Sequence, residues 1–387
     1  MFDERRGVQQ LENEIEVEQD VHLPFSQSQN KGRGWLLRLY TVFVVVFALV
    51  STIYLSWFIY SYLQENEIKR TEWAFEVTGI EAMNNLGLKG DGVVIGIIDT
   101  GIDLTHRDLK DIKLVAWKDF INGREEPYDD NGHGTHVAGI LAANGKLKGG
   151  APEASFIIAK ALNAQGNGEG VSAFDTTVAN AIDFCVENGA DIISLSLGGN
   201  PTPFGLGSDT ERATRNALRA GVFVVAAAGN DGDSQNDEDV SSPGNIRSAI
   251  SVGSIDRNLR ISSFSSRGDN DGYISELPDP ADRYDPNKKP EFVAPGEMIL
   301  STYPGDRYVF ASGTSQSVPF VSAVLALILE SHPEYKRDGE KGGNENAIQE
   351  VKNVLMSTAN PCPGQETPHD DHYGYGIIDP LKAIGSL

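Results

Sequence analysis

Cysteine is nearly absent. Cys185 and Cys362 are the only two in 387 residues, too few for a disulfide framework or a four-cysteine metal site. Cys185 lies in the helical pattern VANAIDFCVENG and Cys362 in the loop NPCPGQ, and both read as packing residues without chemistry. Positive charge is scarce as well. With 32 Lys and Arg against 55 Asp and Glu, the formal net charge is −23. Such a surface repels a phosphate backbone, which excludes nucleic acid as a natural partner, and it favours solubility and neutral or basic partners. Metal signatures are missing too. His133 and His136 stand three apart in HGTH but lack the HExxH carboxylate and a nearby third ligand, which argues against zinc. RGDNDGYISELP has the outline of an EF-hand loop, yet Arg267 occupies the first ligand position and Pro278 the twelfth, so the motif fails.

A charge-free run is present from Leu39 to Gln64. At about 1.5 Å per residue it is long enough to cross a hydrocarbon core of about 30 Å, and Trp35, Trp57 and several tyrosines suit the interfaces. The expectation is an uncleaved transmembrane helix over 35–63, in contact with the membrane through Leu39–Leu63. A cleaved signal peptide is the weaker reading: the run and the tail before it are long, and no small-x-small site follows. Lys31, Arg33 and Arg38 before the run, against Lys69 and Arg70 after it, lean the N-terminus towards the cytoplasm and the rest of the chain outside. Residues 1–34 carry the acidic run Glu12, Glu14, Glu16, Glu18 and Asp20 without an apolar period and are expected to be a disordered tail. Residues 64–72 are expected to be a linker.

From residue 73 to 387 short apolar runs alternate with helical patterns. Strands are expected at Val93–Ile98, Phe156–Lys160, Ile192–Leu195, Phe223–Ala227 and Ala249–Val252, and helices at His133–Ala143, Ser172–Glu187 and Thr210–Ala220. That alternation is the signature of an α/β fold with a parallel sheet between helical layers, whose sites form at the carboxyl ends of the strands.

Four positions carry candidate chemistry. Asp99 ends the apolar strand VVIGIIDTGID. His133 opens the helix HGTHVAGILAA between two glycines, while His136, one turn on, is expected to pack. Asn230 follows the strand VFVVAAAGN, and its amide is the neutral donor a developing oxyanion requires. Ser315 sits in ASGTSQSVPFVSAVLALILESH, where a polar turn enters an almost wholly apolar helix. Free N–H groups and the helix dipole favour negative charge there. Singly, each has a commoner reading as a turn residue or a helix cap.

In the order Asp, His, Asn, Ser, the chain from Trp73 to Leu387 resembles the subtilisin-like serine proteases, the subtilases. The resemblance rests on DTGID with HRDL, HGTHVAGILAA, GGAPEASFIIAKAL, GNGEGVSAF, ADIISLSLGG, VVAAAGN, SFSSRG, KPEFVAPG and SGTS. It implies a three-layer, doubly wound, mainly parallel sheet and a serine endopeptidase acting on polypeptides through an acyl-enzyme, with no metal in the chemistry. Ser315 would be the nucleophile, His133 the general base and acid, Asp99 the group that orients the imidazole, and Asn230 an oxyanion donor beside the Ser315 N–H, in the chain order known for that family. Ser194, Ser196, Leu197 and Gly198 would receive an extended peptide as an added strand. Ala227, Ala228 and Gly229 would form one wall of the P1 pocket, with Ser241 opposite. The acids Asp231, Asp233, Asp237, Glu238 and Asp239 at that rim would tolerate a basic P1 residue, or be only a solvated loop.

The resemblance has gaps. There is no room for a folded propeptide between the apolar run and Trp73. NGKLKGGAP is too short for the loop that wraps calcium in other members; Asp108 matches one ligand, but its partners are missing. The acidic loops leave room for calcium that no motif specifies. Residues 269–287 are an insertion, and Gln316 stands where methionine usually follows the nucleophile. Two other readings keep the fold: an inactive binding module, and a peptide ligase or macrocyclase using the same serine.

Overall fold

The computed structural model of the protein describes residues 30–164, 171–199, 208–232, 239–268, 270 and 283–387, in two compact units, 1–64 and 65–387. The expected tail lies outside the described residues as far as 29. From Asn30 the chain is helical, and α1 is assigned over Asn30–Val77. Within it Gly34–Tyr62 is long and apolar enough to cross a membrane, and the large apolar side chains from Trp35 to Tyr62 are exposed. The expected linker 64–72 does not break this helix. QENEIKR holds no Gly or Pro, consists largely of good helix formers, and sets Glu65 four residues before Lys69, all of which favour continuation.

The second unit is built on β1 (Val94–Asp99), β2 (Lys113–Asp119), β3 (Ser155–Lys160), β4 (Asn163–Ala164), β5 (Val171–Ser172), β6 (Ile192–Leu195), β7 (Phe223–Ala227), β8 (Ile250–Ile255), β9 (Phe292–Pro295), β10 (Ile299–Tyr303) and β11 (Arg307–Ala311). Its helices are α2 (Ile80–Asn85), α3 (His133–Ala142), α4 (Asp175–Glu187), α5 (Asp209–Arg219), α6 (Thr314–Ser331), α7 (Glu345–Thr358) and α8 (Pro380–Ile384). Seven strands form one sheet in the order β2-β3-β1-β6-β7-β8-β9, every pair parallel. All residues of β6, β7, β8 and β9 are buried, as expected of strands covered on both faces. Helices α3 and α6 pack together, as do α4 and α5, and each pair lies against the sheet, giving the three layers anticipated.

The five expected strands are present. The sequence reading missed β2, β9 and the antiparallel hairpin β10–β11. The reasons are local. β2 is an edge strand with a half-exposed burial pattern, and β9 is a four-residue run closed by a proline. β4 and β5 pair in a short ribbon, so α4 begins at Asp175 rather than Ser172. Both cysteines are free and buried. A side chain at Gly96 would meet the Cys185 sulfur at 2.7 Å, and burial pushes the Cys362 thiol up to about 12.

Asp108 settles how the short loop after α3 is held. Its Oδ1 accepts the Lys146 N–H at 2.8 Å, and its Oδ2 accepts the Leu147 N–H at 2.8 Å and the Tyr308 hydroxyl at 3.0 Å. Its carbonyl accepts the Asn144 N–H at 2.8 Å. A side chain at Gly145 would come within 2.1 Å of Oδ1, so glycine is needed for the loop to close on the carboxylate. Calcium requires oxygen lone pairs turned inward; here N–H and O–H hydrogens point at the carboxylate, and the donor set does not fit a cation. Asp108→Ala should therefore destabilise the solubilised full chain by about 2 kcal/mol in denaturant unfolding, the scale of a buried acceptor set removed from its donors, whereas EDTA should not reproduce that loss. A fall in Tm with EDTA that calcium reverses, and that Asp108→Ala abolishes, would show a cation there.

Candidate active site

Asp99 is the last residue of β1, at the carboxyl edge of the sheet centre, and is wholly buried. Its Oδ1 accepts the Thr100 N–H at 2.7 Å. His133 Nδ1 lies 2.8 Å from Oδ1 and 3.0 Å from Oδ2, which assigns the proton to Nδ1 and leaves Nε2 as an acceptor. The imidazole is 22% exposed, so it is open on the side away from the carboxylate. Burial alone would push its pKa down. The Asp99 charge and hydrogen bond, helped by Asp129, outweigh that and hold it above the ordinary histidine value.

Why α3 presents His133 at its first residue is visible in its surroundings. A Cβ on Gly132 would strike the Tyr303 ring at 2.3 Å, and one on Gly134 would strike the Gly101 carbonyl at 2.2 Å. Glycine on both sides lets the histidine reach the strand end. Asp129 ties this turn together, accepting the N–H groups of Asn131, Gly132 and Thr135 and the hydroxyls of Thr100 and Thr135. Thr302 and Ser301 of β10 donate to the Thr135 and His136 carbonyls at 2.7 Å each. His136 packs as expected. Its Nε2 lies 3.1 Å from the Ile299 carbonyl and 3.2 Å from that of Val309, and burial, with His133 nearby, lowers it to about 4.

Ser315 stands in the first turn of α6, whose remaining length is almost entirely buried. Pro319 lies inside this helix and has no N–H for the carbonyl four residues back, which belongs to Ser315. Ser196 supplies the missing donor: its Oγ donates to the Ser315 carbonyl at 2.9 Å. In return the Ser315 hydroxyl donates to the Ser196 carbonyl at 3.1 Å. Among the described residues no hydrogen bond joins Ser315 to His133. The Asn230 Oδ1 accepts both the N–H (2.9 Å) and the hydroxyl (3.0 Å) of Thr314, which turns its NH2 away from those donors and leaves it without a partner among the described residues. Asp99 ends β1, Ser196 follows β6 and Asn230 lies just beyond β7. These strands are neighbours, spaced about 4.8 Å apart, so the two halves share one edge.

The residues expected to bind a peptide separate into two groups. Leu197 is half-buried and Gly198 is exposed at that edge. Ser194 is a correction. It is wholly buried, its strand is paired on both sides, and its Oγ is 3.1 Å from the Ser322 Oγ of α6, so it anchors that helix and has no backbone to offer. The stretch around Ser241 closes the gap between β6 and β7: Ser241 N–H donates to the Ala228 carbonyl at 2.7 Å, and Ser242 and Gly199 exchange backbone hydrogen bonds at 2.9 and 3.0 Å. A Cβ on Gly198 would lie 2.8 Å from the Ser241 Cβ, and one on Gly229 2.5 Å from its Oγ. Ala227 and Ala228 are buried behind them. Sequence reasoning missed Asp129, Thr314 and the pinning hairpin; only the acid before NGHGTH offered a signal, as a cap. Gln316, 2% exposed, lies under this turn, with its Oε1 toward Gly313.

Comparison with known proteins gives the family. Residues 90–376 match the subtilase family. The chain is 40% identical to the major intracellular serine protease of Bacillus subtilis over 70% of its own length and 78% of that protein's. It is 36% identical to subtilisin DY of Bacillus licheniformis, covering 76% and 91%, and 32% identical to M-protease of Shouchella clausii, covering 98% and 88%. The solved structure of the prenylagaramide maturation protease PagA superposes with a TM-score of 0.61 at 25% identity, covering 79% of this chain and 97% of that one. A parallel sheet with an Asp–His pair and a helix-borne serine at its carboxyl edge, matched over most of the chain by serine proteases, places the protein in the subtilase family.

Proposed function

We propose that the protein is a membrane-tethered serine endopeptidase in which Ser315, His133 and Asp99 act as a triad. The observation that carries this is the buried Asp99 carboxylate on His133 Nδ1, with a helix-borne serine on the same edge and an Asn230 NH2 that has no partner among the described residues. A serine hydroxyl attacks only if its proton is removed as the bond forms. The hydroxyl turns from the Ser196 carbonyl to His133 Nε2, its oxygen adds to the peptide carbonyl, and the proton passes to the imidazole. Asp99 stabilises the imidazolium without taking the proton. The Asn230 NH2 and the Ser315 N–H receive the oxyanion. His133 then gives its proton to the leaving amine, and water, deprotonated in the same way, releases the acid and restores the hydroxyl. The backbone of 196–198 receives the peptide as an extended strand, and Gly198, Gly229 and Ser241 bound its P1 side chain. The exposed apolar surface of Gly34–Tyr62 supports tethering, with the catalytic domain outside.

A second reading draws on the structural likeness to the maturation protease PagA: the acyl group passes to a peptide amine instead of water, through the same residues. Product masses, linear or joined, separate the two.

Three outcomes test the proposal. Ser315→Ala, still folded, should lose labelling by a fluorophosphonate probe, and persistent labelling would move the nucleophile elsewhere. kcat/KM should rise with pH as His133 becomes neutral, centred above the ordinary 6.5 because Asp99 and Asp129 raise its pKa. Asp99→Asn should move that rise to lower pH and cost about 10⁴ in kcat, the loss known for serine proteases with this change. Protease shaving of intact cells carrying terminal tags should remove a C-terminal tag and spare an N-terminal one; the reverse would put the domain in the cytoplasm.

A further inference from the structure

The insertion expected at 269–287 returns to the main fold through Arg283. This side chain is only 7% exposed, and its guanidinium grips Asp239 with two hydrogen bonds, NH1 to Oδ1 at 3.0 Å and NH2 to Oδ2 at 2.9 Å. The stem carrying Arg283 is fixed to the core. Asp285 accepts the Tyr375 hydroxyl at 2.7 Å, Asn287 exchanges hydrogen bonds with Gln349 and accepts from the buried Lys352 at 2.8 Å, and Lys289 is wholly buried against Glu291. Asp239 is equally fixed on its own side. Its Oδ1 accepts the Val240 N–H at 2.7 Å, and the next residue, Ser241, lies against Gly198 and Gly229. The guanidinium therefore acts on the chain two residues before the closure between β6 and β7.

We propose that Arg283 is a positioning residue for substrate selection. Through Asp239 it fixes Val240–Ser242 and sets a positive charge against that carboxylate, two residues from Ser241. The proposal rests on the protease reading, with Ser241 beside P1. It also revises the sequence expectation: Asp239 is not a free attractor for a basic P1 residue, because its charge is already matched from the insertion. Asp233, Asp237 and Glu238 lie outside the described residues.

Charge gives the proposal a sign that a purely structural role would lack. Arg283→Gln takes one positive charge away from the neighbourhood of the pocket, and Asp239→Asn takes away one negative charge. The measurement is kcat/KM on the detergent-solubilised full chain, using two fluorogenic peptides identical except for Arg or Leu at P1. Arg283→Gln should raise the Arg:Leu ratio about fivefold, and Asp239→Asn should lower it by a similar factor, the scale of one charge acting at roughly 8 Å near a protein surface. Arg283→Lys should stay near wild type. A ratio unchanged in either folded variant, or moving the same way in both, overturns the proposal. Should Arg283→Gln not fold, the Asp239→Asn ratio decides alone. Fluorophosphonate labelling of Ser315 should keep its wild-type rate in every variant. Absence of labelling in the unmutated chain would instead overturn the protease reading, so the two failures are distinguishable.

Discussion

A carboxylate without access to water is the constraint on which the rest of the site depends. Asp99 is wholly buried, and an isolated buried charge costs several kcal/mol unless it is paired and hydrogen-bonded. The Thr100 N–H and His133 Nδ1 provide that compensation, and their placement dictates much around them. Gly101 cannot carry a side chain, since a Cβ would lie 1.9 Å from the Tyr128 carbonyl. The register pairs Asp99 with Lys160, whose buried ammonium donates to the Thr100 carbonyl at 2.6 Å and to Asp130 at 2.7 Å. The turn after β1 is thus held from both sides. An imidazolium formed at His133 would meet a field already in place, without reorganisation of the protein around it.

The serine half obeys a complementary logic. Where Asp99 requires donors, Ser315 has a carbonyl that Pro319 leaves without one, and Ser196 fills the vacancy while accepting the Ser315 hydroxyl. One residue therefore sets the helix against β6 and parks the proposed nucleophile. The parked hydroxyl explains why the Ser–His hydrogen bond is not formed here: the Ser196 carbonyl competes with Nε2 for the same proton. Such bonds often tighten only when substrate is bound. Ser317 and Ser322 extend the same principle inward, donating to the Ala294 carbonyl at 3.0 Å and to Ser194, so the apolar helix is seated by a few specific contacts.

What could be read from the sequence follows from how local its cause is. Asp99, His133, Asn230 and Ser315 stand at strand ends or helix starts, places that apolar periodicity marks directly, and the structure gathers them on one edge. Buried strands such as β6 and β7 are legible because both faces are apolar. Ser194 was misassigned for the same reason: a serine near a strand end looks available until a neighbouring helix is known to claim it. Asp129, Thr314 and Arg283 were invisible because their roles lie in partners far away in the chain, at Thr100, Asn230 and Asp239. Asp108 was legible as a family position but not in its partners, since backbone N–H groups of a loop carry no sequence signature.

Among the described residues two helices are apolar enough to span a membrane, Gly34–Tyr62 and Thr314–Ser331, and composition does not separate them. Burial does: 83% of the second is covered by protein and none of the first. Their hydroxyls say the same thing independently. In α6 the serines bond outward to other elements, as a core helix in a polar-lined sheet must. In α1 Thr41 and Thr52 turn back to the carbonyls of Leu37 and Ala48, at 2.9 and 2.8 Å, keeping both hydroxyl donors within the helix. A helix surrounded by hydrocarbon must satisfy its polar groups internally. The α1 threonines meet that condition, whereas Ser317 and Ser322 would each lose a partner outside the protein core.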